Sequence, residues 1–236
     1  MKPSNIIILI FVAHSLKIYS QSLHPFKSIL HSIDVYNTAC ESIFPNRDDF
    51  NKIMIEDRAT DTQIQRFESS HQVQFPSELK LFYSQLGSMK NKINQDSYCF
   101  EIFSLDELEK GFEVKPVQLA LKSMGLLDMI LYSWGNNREE LLGQQVLDSD
   151  QKNTLNHQYT CIGWYRDDTV LESAYYIFFD LQDGKFGTLL FDQDDIESFK
   201  NDAISIIHHK AAFTSLENIL TAAVRQTMNT MIEWNK

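Results

Sequence analysis

The chain has 236 residues, of which 43% are hydrophobic and 22% charged, an ordinary globular composition that excludes a mainly disordered polymer. Its 32 acidic and 21 basic side chains leave a net charge of −11, which argues against holding nucleic-acid phosphates by bulk charge. The 3 cysteines (Cys40, Cys99 and Cys161) are far apart and form no CxxC pair, so neither a disulfide framework nor a zinc ribbon is indicated; they read as small buried hydrophobes of a reducing compartment.

The chain opens on Ile6–Ala13 (IIILIFVA), an apolar run behind Lys2 and ahead of Ser20-Gln21-Ser22. That layout is signal-like over residues 1–22. His14 and Lys17 follow the run too closely for a typical cleavage region, and the run is too short to span a bilayer, which takes about 20 residues. The alternative is a first strand or helix packed on the core, and the balance tilts that way. His24–Phe44 reads as a helix, with Phe26, Ile29, Leu30, Ile33 and Cys40 recurring at a spacing of three or four. Thr60 and Gln63 have capping-box spacing for a second helix through Ile64, Phe67 and His71. Phe75-Pro76 breaks it, Ser77 can cap a third helix, and Gly87 fits the position just past its end. Tyr98–Phe103 reads as a strand, Ser104–Lys110 as a short helix, and Pro116–Trp134 as a well-buried helix closed by Gly135-Asn136-Asn137. Residues 143–157 read as a loop or a fraying helix.

The second half begins as sheet. Tyr159–Tyr165, Ser173–Leu181 and Phe186–Phe191 are rich in aromatic and β-branched residues, and Asp183-Gly184 suits a type I′ hairpin turn. Two helices close the chain, one over about Asp194–His209 and one over Thr214–Trp234 behind a Thr214/Glu217 capping box. Charge is uneven: residues 167–197 hold nine acidic side chains against Lys185 alone. A run of like charges repels itself, so it raises the question of a cationic partner, although such runs are more commonly a solvated face.

Glu68 is followed by Phe75-Pro76-Ser77-Glu78-Leu79-Lys80-Leu81-Phe82-Tyr83-Ser84-Gln85-Leu86-Gly87, a helix ending in an aromatic and Glu, a Pro step, and a helix with a terminal Gly. Ile102-Phe103-Ser104-Leu105-Asp106-Glu107-Leu108 gives a strand and a turn. Tyr159–Tyr165, the Asp180–Gly187 hairpin and Phe213-Thr214-Ser215-Leu216-Glu217-Asn218-Ile219-Leu220 come next. This ordered set of landmarks resembles the signature of the SUKH superfamily (SMI/KNR-like). The likeness spans roughly residues 58–220. Phe75 stands where Leu is usual, no Asn precedes Gly87, and residues 111–157 exceed the family's core. The resemblance implies an α+β, two-layer fold with an antiparallel-rich sheet of about five or six strands and helices packed on it. It divides the chain into a mostly helical extension over 1–58 and a SUKH-like domain over 59–236, packed as one globular unit.

By that resemblance the chain is expected to be a non-enzymatic immunity protein that binds a cognate toxin or effector, with no catalytic residue carried over. A regulatory scaffold of the same fold, or a hydrolase with an unrecognised site, are the alternatives. The residues offer no GxSxG, HExxH, GxxxxGK[ST] or GxGxxG motif. His208-His209 diverge by about 100° on a helix and make a poor metal pair. Asp192, Asp194, Asp195 and Glu197 lack the Gly and distal Glu of a calcium loop. No cofactor, metal, nucleic acid or stable membrane association is therefore expected. The partner surface is placed on Asp167, Asp168, Glu172, Asp194, Asp195 and Glu197, an acidic face suited to a basic groove. Trp164 and Tyr165 are its aromatic anchors, although strand alternation turns one of the two inward. The expected compartment is the cytoplasm, or the periplasm if 1–22 is cleaved.

Overall fold

A computed structural model describes residues 25–45, 51–92, 98–110, 125–133, 146–166 and 173–234. Among them run helices α1 (Lys27–Ile43), α2 (Asp61–His71), α3 (Ser77–Gln85), α4 (Leu105–Lys110), α5 (Leu126–Ser133), α6 (Ser149–His157), α7 (Ile196–Ile207) and α8 (Leu216–Trp234). The strands are β1 (Met54–Glu56), β2 (Ser88–Lys92), β3 (Tyr98–Ile102), β4 (Tyr159–Tyr165), β5 (Ser173–Asp180) and β6 (Phe186–Asp192). They form one six-stranded open sheet in sequence order, antiparallel at every step. The fold is α+β and SUKH-like, as the sequence implies.

Local chemistry sets most of the boundaries. The Thr60/Gln63 capping box forms with both of its bonds, satisfying donors that a helix start otherwise leaves open. Past the Pro step, Glu68 Oε1 accepts the Phe75 N–H at 2.7 Å and pairs with Lys80 Nζ at 2.9 Å. This carboxylate ties the end of α2 to the start of α3, a physical reason for Glu at that place. Phe75 then stacks between Phe67 (5.1 Å) and Tyr83 (5.8 Å), while Phe82 turns to Phe26 on the approach to α1. Gly87 has φ +87°, and a Cβ there would collide with the backbone of Glu56 and Arg58, so only glycine fits between α3 and β2.

Several expectations are corrected. Ser77 is the first residue of α3 and not its cap; Pro76 holds the cap position without a side-chain bond. Gly125 forms an isolated bridge with Thr160, so no helix runs unbroken over Pro116–Trp134, and α5 covers Leu126–Ser133; residues 116–124 and 134–137 lie outside the described residues. Residues 149–157, read as a loop or fraying helix, form α6 behind an Asp148/Gln151 capping box. The β5–β6 connection is not a type I′ turn. Gly184 has φ +72° but Asp183 does not join it at positive φ, and the Asp180 N–H to Lys185 C=O bond (2.8 Å) closes a longer loop. Thr214 bridges Phe186, and Ser215 Oγ accepts the Asn218 N–H that starts α8, replacing the expected Thr214/Glu217 box.

Cross-strand register fixes the two faces. Directly opposed residues share a face, so Asn91, Phe100, Tyr165, Tyr175 and Leu190 lie on one side. Asn91 Nδ2 reaches Tyr36 of α1 at 2.9 Å there. Phe179 takes Phe75 on the same side. Lys90, Glu101, Trp164, Tyr176 and Leu189 lie on the other, together with Phe191, which meets Phe199 of α7 at 5.2 Å. The helical hairpin thus covers one face, and α7 covers the other beside β6. That double cover explains why Ser173–Asp180 is buried at every position but Tyr175. The apolar core runs as one cluster from Phe26, just before α1, and Ile29 within it, through the sheet to Met231 of α8, and each large side chain it buries contributes roughly 2 kcal/mol.

Candidate functional site

The site expected from the sequence falls at one end of the sheet. Tyr165 pairs with Tyr175 and that residue with Leu190, while Ser173 pairs with Asp192. The end of β4, the start of β5 and the end of β6 therefore lie together, with neighbouring strands about 4.8 Å apart. Asp167, Asp168 and Glu172 lie outside the described residues, but the positions that flank them, Arg166 and Ser173, sit at this end.

The turn after β6 is built from its own carboxylates. Asp192 Oδ1 accepts the Asp194 N–H at 2.9 Å, and Asp195 Oδ1 accepts the Ser198 N–H at 3.0 Å as the cap of α7. Asp195 and Glu197 thus sit where the helix dipole favours negative charge. Asp194, Asp195 and Glu197 are exposed, and among the described residues no Lys, Arg or His pairs with them.

The two aromatic positions separate as strand alternation requires. Tyr165 is 4% exposed and stacks on Tyr175 at 4.9 Å with the rings 7° from parallel; it faces the α1 side and supports the sheet from within. Trp164 is half-buried on the opposite face, the one that carries α7. Its Nε1–H donates to Glu101 Oε2 at 3.0 Å, and the Arg166 guanidinium lies 5.0 Å from the indole centroid. A cation over the indole face adds electrostatic attraction.

Glu101 escaped the sequence reading. It is 8% exposed one residue from the end of β3, paired in register with Lys90 on one side and Trp164 on the other. Burial pushes its carboxyl up to about 7, nearby Glu107 adds to the rise, and Lys90 and the Trp164 bond oppose it. Burial would also raise Glu107, but hydrogen bonds from Lys90 Nζ (2.7 Å) and the Ser104 N–H (2.8 Å) hold it below the usual carboxylate range. The signal that finds Glu101 is a lone acidic residue inside an aromatic strand.

Elsewhere the chemistry is quiet. Burial pushes the thiols of Cys40 and Cys99 up to about 11 and that of Cys161 to about 12, so none is a ready nucleophile at neutral pH. His209 Nδ1 lies 3.7 Å from the buried Asp180, while His208 caps α7. Among the described residues no three His, Cys, Asp or Glu side chains gather to hold a metal ion. A cleft of about 360 Å³ opens between Arg58, Gln63, Ser104 and Asp106. None of the described helices is long and apolar enough to cross a membrane.

With the fold and this surface in view, the comparison with known families decides the kinship. Residues 58–220 match the SMI1 / KNR4 family (SUKH-1). The chain belongs to that family. The matched span runs from the α2 capping box to the first turns of α8 and takes in Trp164 and the turn after β6. SUKH-1 membership is consistent with an immunity-type protein that acts by binding another protein. No curated protein matches the chain.

Proposed function

We propose that this SUKH-1 chain is a non-enzymatic immunity protein, which binds a cognate bacterial toxin and blocks it by covering its active or substrate-binding groove. The observation that carries this reading is the family match over residues 58–220. The exposed carboxylates of Asp194, Asp195 and Glu197, at the end of the sheet toward which β4 carries half-buried Trp164, support it. Asp167, Asp168 and Glu172 extend the same charge in sequence. A toxin that acts on nucleic acid must present a basic groove, and an acidic face attracts such a groove over distance and speeds encounter. Trp164 then supplies apolar area at the centre of the contact, where aromatic residues carry most binding energy. Tyr165 serves from inside by fixing the strand that presents Trp164. In this reading the chain works in the cytoplasm, or in the periplasm if residues 1–22 are removed.

Binding kinetics against the toxin encoded beside this chain test the surface. Reversing Asp194 and Asp195 to Lys is expected to slow association by about tenfold or more at low salt, with the gap closing as salt rises. Trp164→Ala is expected to speed dissociation. Unchanged rates in both variants would remove this face from the contact.

A further inference from the structure

The cross-strand row Lys90–Glu101–Trp164 brings a buried acid to the N–H edge of a half-buried indole. Glu101 lies on β3 at 8% exposure, and its Oε2 accepts the indole N–H of Trp164 from β4 at 3.0 Å. Among the described residues, the charged groups around the pair are Lys90, Glu107 and Arg166. Lys90 stands opposite on β2, with Nζ bonded to Glu107 Oε1 at 2.7 Å; Glu107 faces the row from α4; Arg166 follows β4 and lies against the indole. The indole is thus held on one side by a carboxyl and on another by a guanidinium, and only the carboxyl can change its charge near neutral pH.

We propose that Glu101 and Trp164 form a proton-operated latch, in which the carboxylate holds the indole N–H against the sheet and the protonated acid lets the ring swing outward. A hydrogen bond to an ionised acceptor is roughly twice as strong as one to a neutral acceptor. When Glu101 takes a proton from water it loses that advantage. It also gains an O–H donor, which the indole N–H cannot accept. Burial beside Glu107 sets the change near neutral pH, where Glu101 titrates at about 7. Because Trp164 lies on the face assigned to the partner, the latch makes partner binding depend on pH. That consequence rests on the proposed function, whereas the latch itself does not.

The test uses the full chain alone, with Trp134→Phe and Trp234→Phe leaving Trp164 as the single indole. Acrylamide quenching of its fluorescence is followed from about pH 8.5 down to about pH 5.5, a range that brackets the expected midpoint. The latch predicts a released population about tenfold larger on the acid side. Quenching therefore rises along a single titration with its midpoint near 7, and the Glu101→Gln variant, which keeps the acceptor oxygen but cannot ionise, stays flat. Trp164→Phe in the otherwise native chain is expected to abolish the transition, which assigns it to this ring even if the triple variant folds poorly. Quenching that is flat in the parent, or a titration that survives Glu101→Gln, overturns the latch. Since no toxin is present, either outcome leaves the partner surface to be judged by its own binding kinetics.

Discussion

Glu101→Gln should stabilise the protein at alkaline pH and do little at acid pH. In the folded chain burial raises this carboxyl from its ordinary 4.5 to about 7. An unfolded chain gives up the proton on passing 4.5, whereas the folded chain keeps it until about 7. The unfolded state therefore binds fewer protons in that window, and stability falls as pH rises through it. Above 7 the full penalty applies, about 3 kcal/mol at ~1.4 kcal/mol for each tenfold. Glutamine keeps the shape and an acceptor for Trp164 Nε1 but buries no charge, so it removes most of that penalty. Allowing for an imperfect fit of its amide beside Lys90, the expected gain at about pH 8 is ~2 kcal/mol. For a chain of this size that is a rise of about 4–8 °C in Tm. Thermal unfolding of parent and variant at about pH 5 and about pH 8 reads it as a difference of differences, which cancels every other titrating group. Equal shifts at both pH values, or a less stable variant at pH 8, would refute the account of Glu101.

Three further substitutions probe the joints of the fold. Asn91→Ala removes an amide that is 1% exposed and bonds Tyr36 Oη at 2.9 Å, Asn51 Oδ1 at 3.0 Å and the Phe100 N–H at 2.8 Å. It should cost about 2–4 kcal/mol in urea unfolding and speed amide exchange in α1 first. Gly87→Ala should cost about 2 kcal/mol or more by the same measurement, because the residue holds φ +87° and a methyl meets backbone on the β1 side. Tyr83→Phe should be neutral or stabilising by up to about 1 kcal/mol, since the Tyr83 hydroxyl is buried with no hydrogen-bond partner among the described residues; a clear loss of stability would reveal a bond that this geometry lacks.

What the sequence made legible follows from the range of the forces involved. The Thr60/Gln63 box, the Pro76 break and the glycine at 87 are decided within a few residues, and all three are readable in the string. Three strongly apolar strands of the second half are readable for the same reason. The weak elements are different. β1 has 3 residues and β2 reads Ser-Met-Lys-Asn-Lys; neither carries a periodic signal, and they exist because β3 offers β2 an edge and β2 in turn offers one to β1. The α6 cap at Asp148 and Gln151 has the box spacing, but its helix buries only Leu155 and so shows almost no apolar stripe. Ser77 and Thr214 carry the right chemistry for caps, yet Ser77 falls one residue inside α3 and Thr214 is taken up in a bridge to Phe186. At the candidate surface, alternation states that one of Trp164 and Tyr165 turns inward but not which one. The choice is made by register with Glu101 and Phe100, more than 60 residues away. Glu101 stands out in the string as the lone acid of an aromatic strand, but its partner Trp164 is named only when β4 is laid beside it.

Occlusion is tested most directly by looking for a toxin domain encoded beside this chain and following its activity while the purified chain is added. Occlusion of a groove predicts that the toxin's turnover falls in proportion to the chain present and vanishes near equal amounts, with no product formed by the chain alone. A toxin that keeps its full rate in the presence of excess chain would contradict it.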